Sequence, residues 1–301
     1  MLPVITGLVC CCFYSLALTT KETTEDKKDR PKMAIEYFAE FDLSDTKVFG
    51  ASHANDEGKF FGQFEAKRAC PDGWHLPTER ELEGLAPKEG RNEKEYKLVT
   101  PVKFFKGGPN VMNWPEKIQI GKEDTAKVYF GDFAYPGNNI CYAIRFKKDN
   151  VQTMDNKLMA AYKYELLGVK SLSNDGGNLR PGPTFRLKIT VRYLGEDFSG
   201  TIVDVANEEF WQSNNGDDVV RVFSAGGAAV FNGNNATFIP GAGGFYMSSS
   251  TYIAKDEFPD LNIYKRPSDG MAFFDFGMGG AGISGRSPSN LKSFVRCVSD
   301  K

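Results

Sequence analysis

A chain of 301 residues with a formal net charge of −2 is long enough to bury a sizeable core and lacks the basic excess of a general nucleic-acid binder. Thirty-one glycines and 13% aromatic residues point to a loop-rich protein containing β-structure. No stretch after residue 20 is long and apolar enough to span a bilayer.

Residues 4–14 are apolar but short, which fits the core of a signal peptide. Ser15 and Ala17 supply the small side chains for cleavage after Ala17, making 1–17 the signal. A second reading stays open. Leu8-Val9-Cys10-Cys11-Cys12 loosely matches a lipobox, which would leave a lipid-anchored chain, although Phe13 and Tyr14 follow where polar residues are usual. Both readings export the protein and permit disulfides. Residues 18–32 are a polar, charged tether with nothing apolar to fold around.

Aromatic and alternating residues over 33–41 predict a first strand, and 44–58 a polar loop. Phe60, Phe61, Phe64 and Ala69 lie near helical spacing, which predicts a short helix over 59–68. The run Cys70-Pro71-Asp72-Gly73-Trp74-His75-Leu76-Pro77-Thr78 is a turn followed by a helix start. Thr78 and Glu81 have capping-box spacing, Leu82 and Leu85 give the helix an apolar side, and Pro87 ends it. Trp74 and Leu76 are expected in the core, with His75 on the opposite side.

Residues 95–200 read as an antiparallel meander with strands over 96–105, 126–130, 140–147, 158–167 and 184–194, separated by Gly-, Pro- and Asn-rich turns. Residues 202–211 read as one helix with Val203, Ala206 and Phe210 on its apolar face. From Gly226 the chain is glycine-rich and reads as long irregular loops. Its glycine clusters lack the Lys-Ser/Thr of a Walker motif and the strand–GxGxxG–helix frame of a dinucleotide site. Residues 293–298 are a terminal strand carrying Cys297.

The Cys70 turn and helix start, the Gly243-Gly244-Phe245-Tyr246-Met247-Ser248 segment and the terminal Ser293-Phe294-Val295-Arg296-Cys297-Val298 together resemble the Fibrobacter succinogenes major paralogous domain. That family is found in secreted Bacteroidetes proteins, including accessory tip components of fimbriae. The resemblance implies an α+β, C-type-lectin-like domain over 33–301, with 95–200 as a long inserted antiparallel β region. It also implies a Cys70–Cys297 disulfide. Cys141 then reads as a buried apolar residue rather than a reactive thiol.

Catalytic residues are not expected. The formylglycine-generating enzymes share the resembled fold, but their cysteine pair falls where this chain has Ser248, Ser249 and Ser250, and serine cannot replace a thiolate for copper or redox chemistry. His53 and His75 are the two histidines, and they form no zinc-ligand cluster with the cysteines. A binding loop over 212–218 is the better candidate, because Asn214, Asn215, Asp217 and Asp218 offer hard oxygen ligands for calcium or polar contacts for a partner. Phe231, Phe245, Tyr246, Tyr252 and Tyr264 are the aromatic candidates nearby, with a core strand as the competing reading for Phe245 and Tyr246. Thr125, in Asp124-Thr125-Ala126, resembles a Bacteroidetes O-glycosylation acceptor.

The sequence thus predicts a non-enzymatic protein exported to the cell surface or outer membrane. It would need no cofactor beyond calcium at the 212–218 loop. Its expected partners are a host or bacterial surface protein, a glycan, or fimbrial or envelope subunits. The alternative is a glycan-binding lectin module.

Overall fold

The computed structural model describes residues 30, 32–54, 58–88, 90–92, 97–99, 102–104, 111–120, 123–135, 137, 139–148, 156–171, 179–195, 198–213, 218–232, 235–239, 243–251, 271–286 and 291–300. Met1–Pro31 and Lys32–Lys301 form two separate units, and every described helix and strand belongs to the second. The signal peptide, the Cys10–Cys12 lipobox and nearly all of the tether therefore lie outside the described residues.

Six long strands form the largest sheet: Val111–Ile120, Glu123–Ala134, Ile140–Lys148, Asn156–Ser171, Leu179–Tyr193 and Val219–Ser224, each antiparallel to the next. Alternation is clearest on Leu179–Tyr193. On Leu179–Tyr193, Phe185, Leu187, Ile189 and Val191 are fully buried, while Arg186, Lys188, Thr190 and Arg192 take the other face. A register shift separates Leu167 from Val169. Gly168 sits there with φ +67°, and a Cβ on it would come within 2.3 Å of the Thr184 carbonyl oxygen, so this bulge requires glycine.

The two edges of this sheet are managed differently. Val111–Ile120 pairs with one strand of the sheet and carries Pro115, a residue confined to edges because it cannot donate to a ladder. At the other edge, the carbonyls of Val222 and Ser224 lie 2.8 Å from Arg296 Nη2 and 3.0 Å from the Tyr246 hydroxyl. Side chains thus occupy acceptors that an added strand would use.

A four-stranded sheet runs in the order Gly243–Thr251, Met271–Gly277, Gly280–Arg286 and Val102–Lys103. A three-stranded sheet joins Asn235–Ile239, Ala228–Asn232 and Leu291–Lys292. Trp74–His75 pairs with Val298–Ser299, which brings the Cys70 turn to the C-terminal segment. Gly73, with φ +80°, allows that turn.

The α+β, C-type-lectin-like expectation is overturned: the architecture is mostly β. Helical structure among the described residues consists of one 3-10 turn, Ala34–Tyr37, and four helices of four or five residues, Gln63–Ala66, Glu79–Leu82, Ile202–Val205 and Glu208–Gln212. The physical reasons are local. The apolar spacing over 59–68 does not mark a buried helical face, because Phe61 is buried in a bridge to Ser293 whereas Phe64 is 83% exposed. The helix predicted over 202–211 breaks after Val205. Asn207 caps a new one by accepting from the Glu209 N–H, and Val203 faces outward at 76% exposure. The strand expected over 33–41 is instead the 3-10 turn, closed by the Met33 N–H donating to Glu36 Oε2 at 2.6 Å. Residues 44–58 contain a hairpin, Leu43–Asp45 with Val48–Phe49. The described residues of the glycine-rich region from Gly226 are largely strand, not irregular loop.

Residues 95–200 contribute to the common core. Phe130, Tyr162, Phe185 and Leu187 from this region share one core with Phe38, Leu82, Tyr246, Phe274 and Phe294. A second core gathers Leu43, Phe61, Leu76, Met247, Phe273 and Cys297 around the disulfide, with Trp74 packed against it. Burying an aromatic side chain of this kind contributes on the order of 2–3 kcal/mol, so the large sheet is integral to the fold's stability.

Candidate functional site

Ile202–Val205 and Glu208–Gln212 lie on the outer face of the six-stranded sheet, over Tyr142, Ile144 and Ala161. Trp211 stacks on Tyr142 with ring centroids 6.0 Å apart, and its indole donates to the Val205 carbonyl at 2.7 Å. Phe210 meets Trp211 edge to face. An aromatic patch is thereby fixed where the second helix runs into the predicted 212–218 loop.

Arg192 organises that loop. Its side chain is 3% exposed, and Nε donates to Asp218 Oδ1 at 2.6 Å while Nη2 donates to Oδ2 at 2.8 Å. The same guanidinium donates to the carbonyls of Phe210, Trp211 and Ser213 and to the Ser213 hydroxyl. It also lies over the Phe210 ring, 4.7 Å from the centroid. One planar, permanently charged group therefore ties down the chain on both sides of residues 214–217.

This placement revises the reading of Asp218. Both its oxygens are engaged by an arginine, so it serves as the loop's anchor, and a cation at the same carboxylate would be repelled by the guanidinium. Asn214, Asn215 and Asp217 lie outside the described residues. No group of three or more His, Cys, Asp or Glu arranged to hold a metal occurs among the described residues.

Beside the aromatic patch runs a charged network. Lys163 Nζ is 3.1 Å from both oxygens of Glu208 and 3.3 Å from Glu165 Oε1, and Glu165 Oε2 is 3.0 Å from Lys188 Nζ. The Tyr142 hydroxyl donates to Glu208 at 3.3 Å, and burial together with the Glu208 charge pushes its phenol well above the usual range.

The histidines are held apart from this region. His75 Nε2 lies 2.9 Å from Glu81 Oε1 and Nδ1 lies 2.6 Å from Asp300 Oδ1. Glu81 also completes the predicted capping box, accepting from the Thr78 N–H at 2.7 Å while the Thr78 hydroxyl accepts from the Glu81 N–H. These carboxylates raise the His75 pKa to about 9. The His53 ring stacks tilted against Phe41, and burial lowers its pKa.

Cys70 and Cys297 form the disulfide, and Cys141 is free and buried. Tyr246 and Met247 are core, as the competing reading held, and Phe245 is half-buried. Phe231 is a strand residue paired with Ala236, and Tyr252 and Tyr264 lie outside the described residues. Thr125 sits in Glu123–Ala134 opposite Ile118. Sequence reasoning missed Arg192. The one available signal was the alternation over 185–192, which sets Arg192 on the charged face with Arg186 and Lys188.

Against known proteins, a family model described as a domain of unknown function, DUF8237, matches residues 30–297. The chain belongs to that family. No curated protein and no solved structure matches it. The matched span of the DUF8237 domain takes in the Arg192 clamp, the aromatic patch and both disulfide cysteines, and it stops before Asp300, the outer partner of His75.

Proposed function

We propose that this DUF8237 chain is an exported, non-catalytic binding protein of the cell surface or outer membrane that attaches to a surface protein or glycan. An accessory role in a fimbrium or other envelope assembly is the more specific form of the same proposal. The short segments around Cys70 and Cys297 that resemble the Fibrobacter succinogenes major paralogous domain motivate it. The Arg192 clamp carries it: recognition is commonly borne by a segment held on a rigid scaffold, and here one buried arginine ties Ser213 and Asp218, on either side of residues 214–217, to a six-stranded sheet beside an aromatic patch. The Cys70–Cys297 disulfide supports export, because such bonds persist in oxidising compartments. Calcium belongs to the proposal only through Asn214, Asn215 and Asp217.

The test is attachment of the purified full chain to its natural target surface. Replacing Asn214, Asn215 and Asp217 together by alanine should leave melting unchanged and weaken attachment about tenfold or more. A folded triple variant that attaches as well as the parent would refute the loop as the binding site. Export is read separately by mass spectrometry of protein from the native host, which should begin at Leu18 or at a lipidated cysteine. A cytosolic chain with its first residues intact would end that part.

A second reading, a glycan-binding module, is favoured by the stacked Tyr142–Trp211 pair bordering the Glu208–Lys163–Glu165 network, since aromatic surface beside polar groups suits sugar rings.

A further inference from the structure

Directly opposed residues on neighbouring antiparallel strands point to the same side of a sheet. The register therefore lays out the outer face in rows: Tyr142, Lys163, Thr190 and Val220, then Ile140, Glu165, Lys188 and Val222, then Leu167, Arg186 and Ser224. The helix pair covers the row above these and reaches Tyr142. At the opposite end, the Ser224 hydroxyl donates to the His53 carbonyl at 3.2 Å. Among the described residues, the middle rows lie as a strip between the helices and the His53 segment.

Buried polar atoms concentrate along that strip. Glu165 Oε2, Arg186 Nε, Thr190 Oγ1 and, at its end, His53 Nδ1 have no hydrogen-bond partner. Glu165 Oε2 has the Lys188 ammonium at 3.0 Å, so its charge is met while its directional hydrogen bond is not. Thr190 is 6% exposed beside Val220, where a valine would fill the same space without a hydroxyl. Native folds keep few such groups, because each costs about 1–3 kcal/mol. Packing does not require four of them along one strip.

We propose that this strip binds a neutral, polyhydroxylated ligand, an oligosaccharide. The unmet set contains a donor at Arg186 and a hydroxyl at Thr190 that can donate and accept, with the ion-paired Glu165 carboxylate beside them as a further acceptor. Sugar hydroxyls are likewise donors and acceptors. The charges on this face alternate through Lys163, Glu165, Lys188 and Glu208, so an anion meets carboxylates and a cation meets ammonium groups. Val220, 38% exposed, offers apolar surface to the C–H side of a sugar ring, and the Tyr142–Trp211 stack borders the strip. Thr190 lies directly across from Lys163, and the ligand reaches it by exchanging the Lys163 ion pairs to Glu208 and Glu165 for its own hydroxyls. The inference rests on the reading of the chain as a binding protein but not on the 214–217 loop.

The test is calorimetric titration of the full chain with neutral linear oligomers of glucose, mannose, galactose and N-acetylglucosamine. At least one class should bind saturably. Thr190→Val and Glu165→Gln should each weaken that binding about tenfold, and Thr190→Val should melt no lower than the parent, since it removes an unmet hydroxyl. No binding by any oligomer, or equal binding by parent and both variants, would overturn the proposal. So would salt-sensitive binding of a sulfated oligosaccharide in place of the neutral ones. The Asn214, Asn215 and Asp217 triple variant should keep its sugar affinity, so failure at the loop and failure at the strip are read independently.

Discussion

Arg192 grips Asp218 at both carboxylate oxygens, with Nε 2.6 Å from Oδ1 and Nη2 2.8 Å from Oδ2, and the arginine side chain is 3% exposed. The pair stands at the junction of sheet, helix and loop, so its loss should be felt beyond one ion pair. Arg192→Ala strands a carboxylate and uncaps three carbonyls, and an expected loss of about 3–5 kcal/mol should appear as a lower urea midpoint. Asp218→Ala should also destabilise, by leaving a buried guanidinium without its counter-charge. If Asp218→Ala melts with the parent, the clamp is not structural.

A second buried pair closes the sheet edge. Arg296, 1% exposed, donates from Nε to Asp42 Oδ1 at 2.6 Å and from its other nitrogens to the carbonyls of Ala39, Glu40 and Val222. The Tyr246 hydroxyl sits 3.0 Å from Asp42 Oδ2. Asp42→Ala should cost about 3–5 kcal/mol and Tyr246→Phe about 1–2 kcal/mol. No measurable loss for either variant in chemical denaturation would mean that ring packing, not the polar network, dominates here.

The disulfide spans 227 positions of sequence, so its main effect is on the unfolded chain. Chain-entropy arithmetic gives about 5 kcal/mol as the upper figure. Cys70→Ser should lower the melting temperature by an amount that matches reduction of the parent. In non-reducing peptide maps Cys70 should travel with Cys297. Cys141 should resist alkylation until denaturant is added, because burial pushes its thiol far above the usual range. Rapid alkylation of Cys141 in the native protein would contradict its place in the core.

Stability should fall as pH rises, through two groups with raised folded-state values. Glu83 is 8% exposed, and its pKa is raised to about 7 by burial and then by the neighbouring Glu79 charge. The folded state holds this proton more tightly than the unfolded state, whose ordinary value is 4.5. Its stabilisation is therefore complete below pH 4.5 and is lost as pH climbs to about 7. His75 is raised from 6.5 to about 9, chiefly by the hydrogen bond to Glu81, so its contribution is present below pH 6.5 and disappears as pH passes about 9. Denaturation midpoints from pH 5 to 10 should show both windows. Glu83→Gln should flatten the lower and His75→Gln the upper. A profile that rises across this range would show that neither group titrates as described.

Much of the large sheet was legible in sequence. Residues 184–194 announce themselves by a two-residue alternation that needs no knowledge of the partner strand, and 140–147 and 158–167 by β-branched and aromatic content between turn signals; they lie within Ile140–Lys148, Asn156–Ser171 and Leu179–Tyr193 apart from Leu194. The Thr78–Glu81 capping box was legible for the same reason, since all its bonds close within four residues. The helical expectations failed where apolar spacing was weighed without context. The apolar residues over 59–68 and 202–211 divide between buried and outward-facing sites, and only the surrounding sheets settle which is which.

The sequence alone determined the alternation over 184–193, the Thr78–Glu81 cap and the turn at Gly73. The tertiary structure alone decided that glycine-rich segments become strands, because Gly243–Thr251 takes its ladder from Met271–Gly277 and Gly280–Arg286 takes its second neighbour from Val102–Lys103. It also decided the role of Asp218. A carboxylate in a polar loop looks like a ligand group until an arginine 26 residues earlier in the chain folds across and takes both its oxygens. Local rules fix what a few neighbouring residues can do. The charge partner of a buried group is chosen by packing across the whole chain, as with Arg296 and Asp42 at a separation of 254 residues.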